Sequence, residues 1–225
     1  MLPRILPFAL FMAFIAVNMS LDWFADGRPD AAAWKTQIEL WLYPVRTILV
    51  LATLVFFWSQ YEELKEGFVS NLSELAQAIG VGVLVYLLWV RMDWPWATQG
   101  GDPSLYNPFA GGQAGILLAA VRLFGAALVV PIMEELFWRS FMMRYLVSND
   151  FLKVRLGTFT LLSFGATAVL FGVEHYYWLA GMMAGVAYNF LLYRTNRLWP
   201  CIIAHALTNL LLGIHVLVTG EWRWW

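Results

Sequence analysis

Of 225 residues, 61% are hydrophobic and only 13% are charged, and the mean hydropathy is +0.65. Soluble domains run near roughly 45–50% apolar and 25% charged, so a water-soluble fold is excluded and a bilayer is required as solvent. The formal net charge of −1 offers no basic field to neutralise phosphates, which argues against nucleic acid as a partner.

Seven apolar stretches follow one another: residues 5–19, 40–58, 78–94, 114–146, 157–172, 178–193 and 199–219. Together they predict an all-α, polytopic transmembrane helical bundle, read as one integral membrane domain over 1–225. The first stretch, with Arg4 before it, resembles a signal peptide but lacks a small-residue cleavage site, so it is read as an uncleaved anchor. Residues 20–37 form a polar connection of mixed charge. In 59–77, Tyr61, Leu64, Phe68, Leu72 and Leu75 recur at spacings of three and four beside acidic residues, which predicts a helix lying in the interface. Residues 95–112, with three Pro and four Gly, predict a turn-rich loop.

The fourth stretch is long enough for a broken helix or for two segments, and Pro131 inside it removes a backbone bond. The expected count is therefore seven to eight spans. Trp23, Trp41, Trp58, Trp94, Trp96, Trp199, Trp222, Trp224 and Trp225 fall where apolar runs end, as an interfacial aromatic belt would. With the N-terminus in the cytoplasm, seven Lys and Arg of the connections lie inside (Arg4, Lys65, Arg144, Lys153, Arg155, Arg194, Arg197) and four outside (Arg28, Lys35, Arg91, Arg223). That excess favours a cytoplasmic N-terminus.

Charge in hydrocarbon costs roughly 2.5–3.5 kcal/mol per group on insertion scales, so intramembrane ionisable residues are functional candidates. They are Arg46, Arg122, Glu134, Glu135, Arg139, His175, His205 and His215, with Glu174 at a boundary. Every Asp sits in a loop or at a helix end, which weakens an aspartyl-dyad protease, and neither HExxH nor GxSxG occurs.

Three clusters remain. In Glu134-Glu135-Leu-Phe-Trp-Arg139, Glu135 and Arg139 are four apart and face each other on a helix, whereas Glu134 is five from Arg139 and points elsewhere. One acid is neutralised and its neighbour is left for another partner; the plainer alternative is a structural ion pair beside an acid that reaches a polar cavity. In Phe171-Gly-Val-Glu-His175 the histidine ends a span, a place where packing histidines are common. In His205-Ala-Leu-Thr-Asn209 both polar side chains share a face, able to donate toward one cavity or to bond between helices. Cys201 lies four before His205, a spacing open to a thiol nucleophile, but it follows Pro200 near a helix start and reads as a small apolar packer. Gly181-Met-Met-Ala-Gly185 is a GxxxG that lets two helices approach.

EExxxR, FxxxH and HxxxN in this order resemble the CPBP family, which contains the type II CAAX prenyl endopeptidases and the bacteriocin-processing or self-immunity proteins. The resemblance covers about residues 130–213, and the first half of the chain carries no motif. It implies a glutamate-dependent intramembrane endopeptidase that cuts a membrane-associated peptide or protein near its C-terminus. In that reading Glu134 is the base that activates water and His175 helps hold and activate it. His205 and Asn209 stabilise the oxyanion, and Glu135 and Arg139 support them. It implies no cofactor, and a multi-pass protein of a prokaryotic inner membrane. Two alternatives use the same residues: a zinc hydrolase with Glu134, His175 and His205 as ligands, and a non-catalytic scaffold or immunity protein. One expectation is awkward. With straight spans Glu134 lies near mid-membrane, His205 in the inner half and His175 near the outer end, so they meet only if residues 172–177 fold back or the spans tilt strongly.

Overall fold

Lipid offers backbone groups no hydrogen bonds, so long apolar stretches must satisfy themselves as helices. In the computed structural model, which describes residues 1–25, 28, 31–99 and 106–225, every regular element is helical. Apart from short 3₁₀ turns, the runs among the described residues are α1 Leu2–Ala25, α2 Ala31–Phe56, α3 Leu72–Trp89, α4 Pro108–Tyr145, α5 Leu161–Val173, α6 Trp178–Thr195 and α7 Leu198–Thr219. Each of the seven apolar stretches thus forms a helix. Five of these, α1, α2, α3, α4 and α7, are long and apolar enough to cross a membrane. The fourth stretch forms one helical run of 38 residues, interrupted near its start at Gly112. α5 is apolar but has only 13 residues, and α6 has length without sufficient apolarity. Large side chains such as Ile116, Leu117, Leu161 and Val218 stand 61–79% exposed on the surface. Those faces need lipid rather than water, and the protein is an integral membrane protein.

α4 is not uniform. Gly112, at φ 61°, interrupts helical backbone near its start, and two π-helical stretches follow at Gly125–Val129 and Leu136–Met142. Pro131 explains the first. A proline clashes with the carbonyl four residues back, and the wider π turn relieves that contact. α7 runs through the middle of the bundle, packed on α3 and on the first π stretch. A Cβ at Gly82 of α3 would stand 2.6 Å from the Ala204 carbonyl oxygen, so glycine there permits the close approach.

At one end of the bundle the chain departs from expectation. Residues 59–71 form no interfacial helix, only single 3₁₀ turns at Trp58–Gln60 and Glu62–Leu64 before Asn71 caps α3. The reason is that this segment is tied down residue by residue. Arg4 grips the Glu63 carboxylate at 2.7 and 2.5 Å and the Gln60 carbonyl at 3.2 Å. Tyr61 is fully buried with its hydroxyl on the Pro3 carbonyl. Trp199 donates to the Leu64 carbonyl, and Arg197 takes the carbonyls of Glu66 and Gly67 and the Glu74 carboxylate. With its carbonyls answered by side chains, the backbone does not need to be helical. Trp199 (6% exposed) and Trp224 (7%) are accordingly buried rather than belt residues. α1 is built into the bundle: Phe8 stacks on Phe137 of α4 at 3.9 Å.

The other end gathers the C-terminal ends of α3 and α7, the α5–α6 turn and residues 95–99. Arg223 pairs with Asp93 at 3.1 Å there. Residues 100–105 of the expected turn-rich loop, and 26, 27, 29 and 30 of the first polar connection, lie outside the described residues.

Candidate active site

The adjacent glutamates of α4 have separate surroundings. Arg139, fully buried, donates from Nη1 to Glu135 Oε1 at 3.1 Å, from Nε to Asn189 Oδ1 at 3.2 Å and from Nη2 to the Gly185 carbonyl at 3.2 Å. Its guanidinium also lies over the Phe171 ring at 4.5 Å. Glu135 is itself fully buried, and the same Oε1 takes His205 Nδ1 at 2.9 Å. An ion-paired carboxylate accepts, so Nδ1 of His205 carries the proton and Nε2 is turned the other way. It faces Glu134 Oε2 at 3.9 Å. The Tyr188 ring, stacked on the imidazole at 5.1 Å, fixes that orientation. Glu134 is 5% exposed, and its Oε2 has no hydrogen-bond partner among the described residues.

α5 brings the second motif to the same place. Thirteen residues rise about 20 Å, short of the roughly 30 Å hydrocarbon core, and after Val173 the chain turns back into α6. Gly172 makes the turn possible: a Cβ there would run into Met182 and stand 2.6 Å from the Trp178 carbonyl. Across the contact, a Cβ at Gly181 would stand 3.0 Å from Gly172 Cα and one at Gly185 3.1 Å from Ala168 Cα, so the GxxxG serves helix packing. The turn's carbonyls are answered by Gln99, whose N–H bonds Tyr176 O and whose amide bonds His175 O, both at 3.0 Å, and also Val173 O. Irregular backbone at depth is tolerated on those terms. The fold-back that the sequence required is therefore present.

His175 Nδ1 lies 2.6 Å from the Phe171 carbonyl, which only accepts, so the proton sits on Nδ1 and Nε2 is an acceptor. Glu174 accepts from Trp138 Nε1 at 2.9 Å. One ligand atom each from Glu134, Glu174 and His175 lies within 4.8 Å of the others. They line a cavity of about 410 Å³ that also takes in Asn209, Arg46 and Arg122. His205 stands behind Glu134, outside that lining.

Asn209 is held by the π stretch. There Val130 N–H reaches the Gly125 carbonyl, and the next bond of that pattern would run from residue 131 to the Ala126 carbonyl. Residue 131 is proline and has no N–H, so Asn209 Nδ2 supplies the donor at 2.9 Å. One of its two amide hydrogens is thus committed to backbone, and the other remains for the cavity.

The arrangement differs from the zinc set read from sequence. Among the described residues the grouping is Glu134, Glu174 and His175, with Glu174 where His205 was expected. Cys201 is fully buried against the Tyr188 carbonyl and is no part of the cavity. Trp138, Tyr188, Asn189 and Gln99 escaped the sequence reading, since nothing in a single chain marks an ordinary Trp, Tyr, Asn or Gln as a partner of a charge. Arg46 and Arg122 were legible as intramembrane charges that either pair with Glu39 or line a cavity, and both line the cavity.

Residues 116–211 match the family model of the Rce1-like type II CAAX prenyl endopeptidases. Glu134, Glu135, Arg139, His175, His205 and Asn209 all fall inside that segment. The segment is similar to that family, consistent with a CPBP-family protein, and the match supports an intramembrane protease. No curated protein and no solved structure matches the chain.

Proposed function

From an Rce1-like domain set in a membrane bundle, we propose that the chain is an intramembrane endopeptidase in which Glu134 activates water. The observation that carries the reading is the buried Glu134 carboxylate, which lines a cavity shared with His175 and whose Oε2, turned to His205, has no hydrogen-bond partner among the described residues. A water between them donates one hydrogen to Glu134 and the other to His175 Nε2, the acceptor left by the Phe171 bond. Glu134 removes the first proton as the water oxygen bonds the scissile carbonyl carbon. The carbonyl oxygen becomes an oxyanion, stabilised by the free Asn209 amide hydrogen, while His205, behind Glu134, faces its Oε2 and orients the base. Collapse breaks the C–N bond, and Glu134 returns its proton to the leaving amine. Glu135 and Arg139 hold His205 in place for this.

The substrate is a membrane-associated peptide or protein cut near its C-terminus. With the N-terminus cytoplasmic, the cavity faces the opposite side of a prokaryotic inner membrane. The test compares C-termini of membrane proteins in cells carrying the natural chain or Glu134→Gln. A set of termini shortened only in the former is expected, and identical termini refute the reading.

A second reading has its own observation: the grouping of Glu134, Glu174 and His175 is of a kind that holds zinc with an open fourth position. Zinc would there polarise the carbonyl and supply the water. Stoichiometric zinc in purified protein, needed for activity, separates it from the first.

A further inference from the structure

Arg46 of α2 and Arg122 of α4 line the Glu134 cavity and take no part in the reaction above. Both are clamped by aromatic rings. Their guanidinium carbons lie 4.7 and 4.3 Å from the centroid of the Tyr43 ring, with Phe11 at 4.2 Å from Arg46 and Tyr106 at 4.8 Å from Arg122. Ring faces fix a guanidinium in place, but they do not accept its in-plane hydrogens. Arg46 is 7% exposed, and the Nε of each arginine is buried without a hydrogen-bond partner among the described residues. Glu39, also in the lining, is engaged by Lys35 one turn earlier at 3.5 Å.

Two cations clamped on one ring, Arg46 buried and Arg122 half-buried, repel each other and lose part of their hydration, and an anion between them reverses both penalties. Planar donor forks match a carboxylate bidentately. The remaining walls are largely apolar and aromatic, so the ligand that fits is an apolar chain bearing one carboxylate. We infer that Arg46 and Arg122 form a carboxylate-binding subsite that grips a peptide substrate on one side of the scissile bond while Glu134 acts on the other. The carboxylate comes from the peptide's own C-terminus or from an acidic side chain near it. This rests on the protease reading for the identity of the ligand as a substrate, but not for its binding.

The test uses full-chain Glu134→Gln protein in nanodiscs, which binds without cutting. Three apolar hexapeptides are titrated against tryptophan fluorescence, since Trp89, Trp224 and Trp225 line the cavity. One ends in a free acid, one in an amide, and one in an amide with an internal Glu. The free acid or the internal Glu peptide is expected to bind about tenfold or more tighter than the plain amide, and which of the two does so identifies the source of the carboxylate. Arg46→Gln or Arg122→Gln then brings that ratio to near one with the plain amide little changed. Equal affinity for all three peptides, or no binding of any, overturns the inference without needing a folded arginine variant. The natural chain is assayed for cleavage in parallel. Carboxylate-selective binding without cleavage refutes the protease reading and leaves the subsite standing.

Discussion

Replacing Glu135 by Ala strips from Arg139 the only charged acceptor it has among the described residues. Of the three groups that guanidinium bonds, Asn189 Oδ1 and the Gly185 carbonyl are neutral, and both members of the ion pair are 0% exposed. Leaving one member of a fully buried pair costs about 3–5 kcal/mol, and the freed His205 Nδ1 adds to that. Glu134→Ala removes a carboxylate whose Oε2 bonds nothing, so its cost is packing alone, about 1 kcal/mol. The difference of roughly 2–4 kcal/mol corresponds to about 4–16 °C at ~2–4 °C per kcal/mol for a chain of this size. Cys201 is buried and is the chain's one cysteine, so the rate of maleimide labelling on heating in detergent reports unfolding directly. Glu135→Ala and Arg139→Ala should each melt well below Glu134→Ala. The double variant should be about as stable as the worse single one, a coupling equal in size to the smaller single loss. Additive losses, or a Glu134→Ala protein as unstable as Glu135→Ala, would refute the division of roles between the two acids.

Asn209→Ala leaves the Ala126 carbonyl without its donor and should cost about 1–2 kcal/mol as well as activity. Adding Pro131→Ala, which restores an N–H at residue 131, should recover stability but not cleavage; no recovery in melting temperature would break the link between them. Gly172→Ala puts a methyl into Met182 and the Trp178 carbonyl, and about 1–3 kcal/mol of overpacking should appear in the same melting assay together with reduced turnover. An unchanged melt would mean α5 and α6 do not meet there. Proteolysis should persist through chelation, with no stoichiometric zinc by elemental analysis. Activity lost to a chelator and regained with zinc would transfer Glu134, Glu174 and His175 from the glutamate mechanism to a metal.

The helical class was legible because lipid leaves so few options, and the seven apolar stretches mark the seven helices to within a few residues at most ends. What failed did so for identifiable reasons. The stripe from Tyr61 to Leu75 has helical spacing, but spacing does not register that Arg4, Arg197 and Trp199 take the carbonyls of that segment from distant parts of the chain. Phe68, expected on the same face as buried Tyr61, is 65% exposed. Belt tryptophans follow position in sequence, and Trp199 departs from it because an indole N–H with a buried carbonyl in reach goes inward. The site was legible to the extent that it obeys local helix geometry, as with Glu135 and Arg139. Glu174 was legible only as a candidate at a boundary, since it enters the cavity through the turn after α5, where neighbouring residues no longer diverge as they do on a helix.

That turn also explains why a 13-residue helix belongs in a membrane protein at all. A full span after Gly157 would carry the FxxxH motif past the glutamates to the far interface, where water competes for every hydrogen bond. Starting at Leu161, after the Thr160 cap, and stopping at Val173 leaves the histidine level with α4. The cost is a stretch of non-helical backbone at depth, and Gln99 answers the carbonyls that stretch exposes. The same trade appears in α4, where Pro131 gives up a backbone bond and Asn209 makes it good. In both places an interruption of helix is repaired by an amide side chain from elsewhere in the chain, and in both the residue next to the repair lines the cavity. Helical continuity would bury polar groups along straight walls; it is the two interruptions that turn Glu134, Glu174, His175 and Asn209 toward one space.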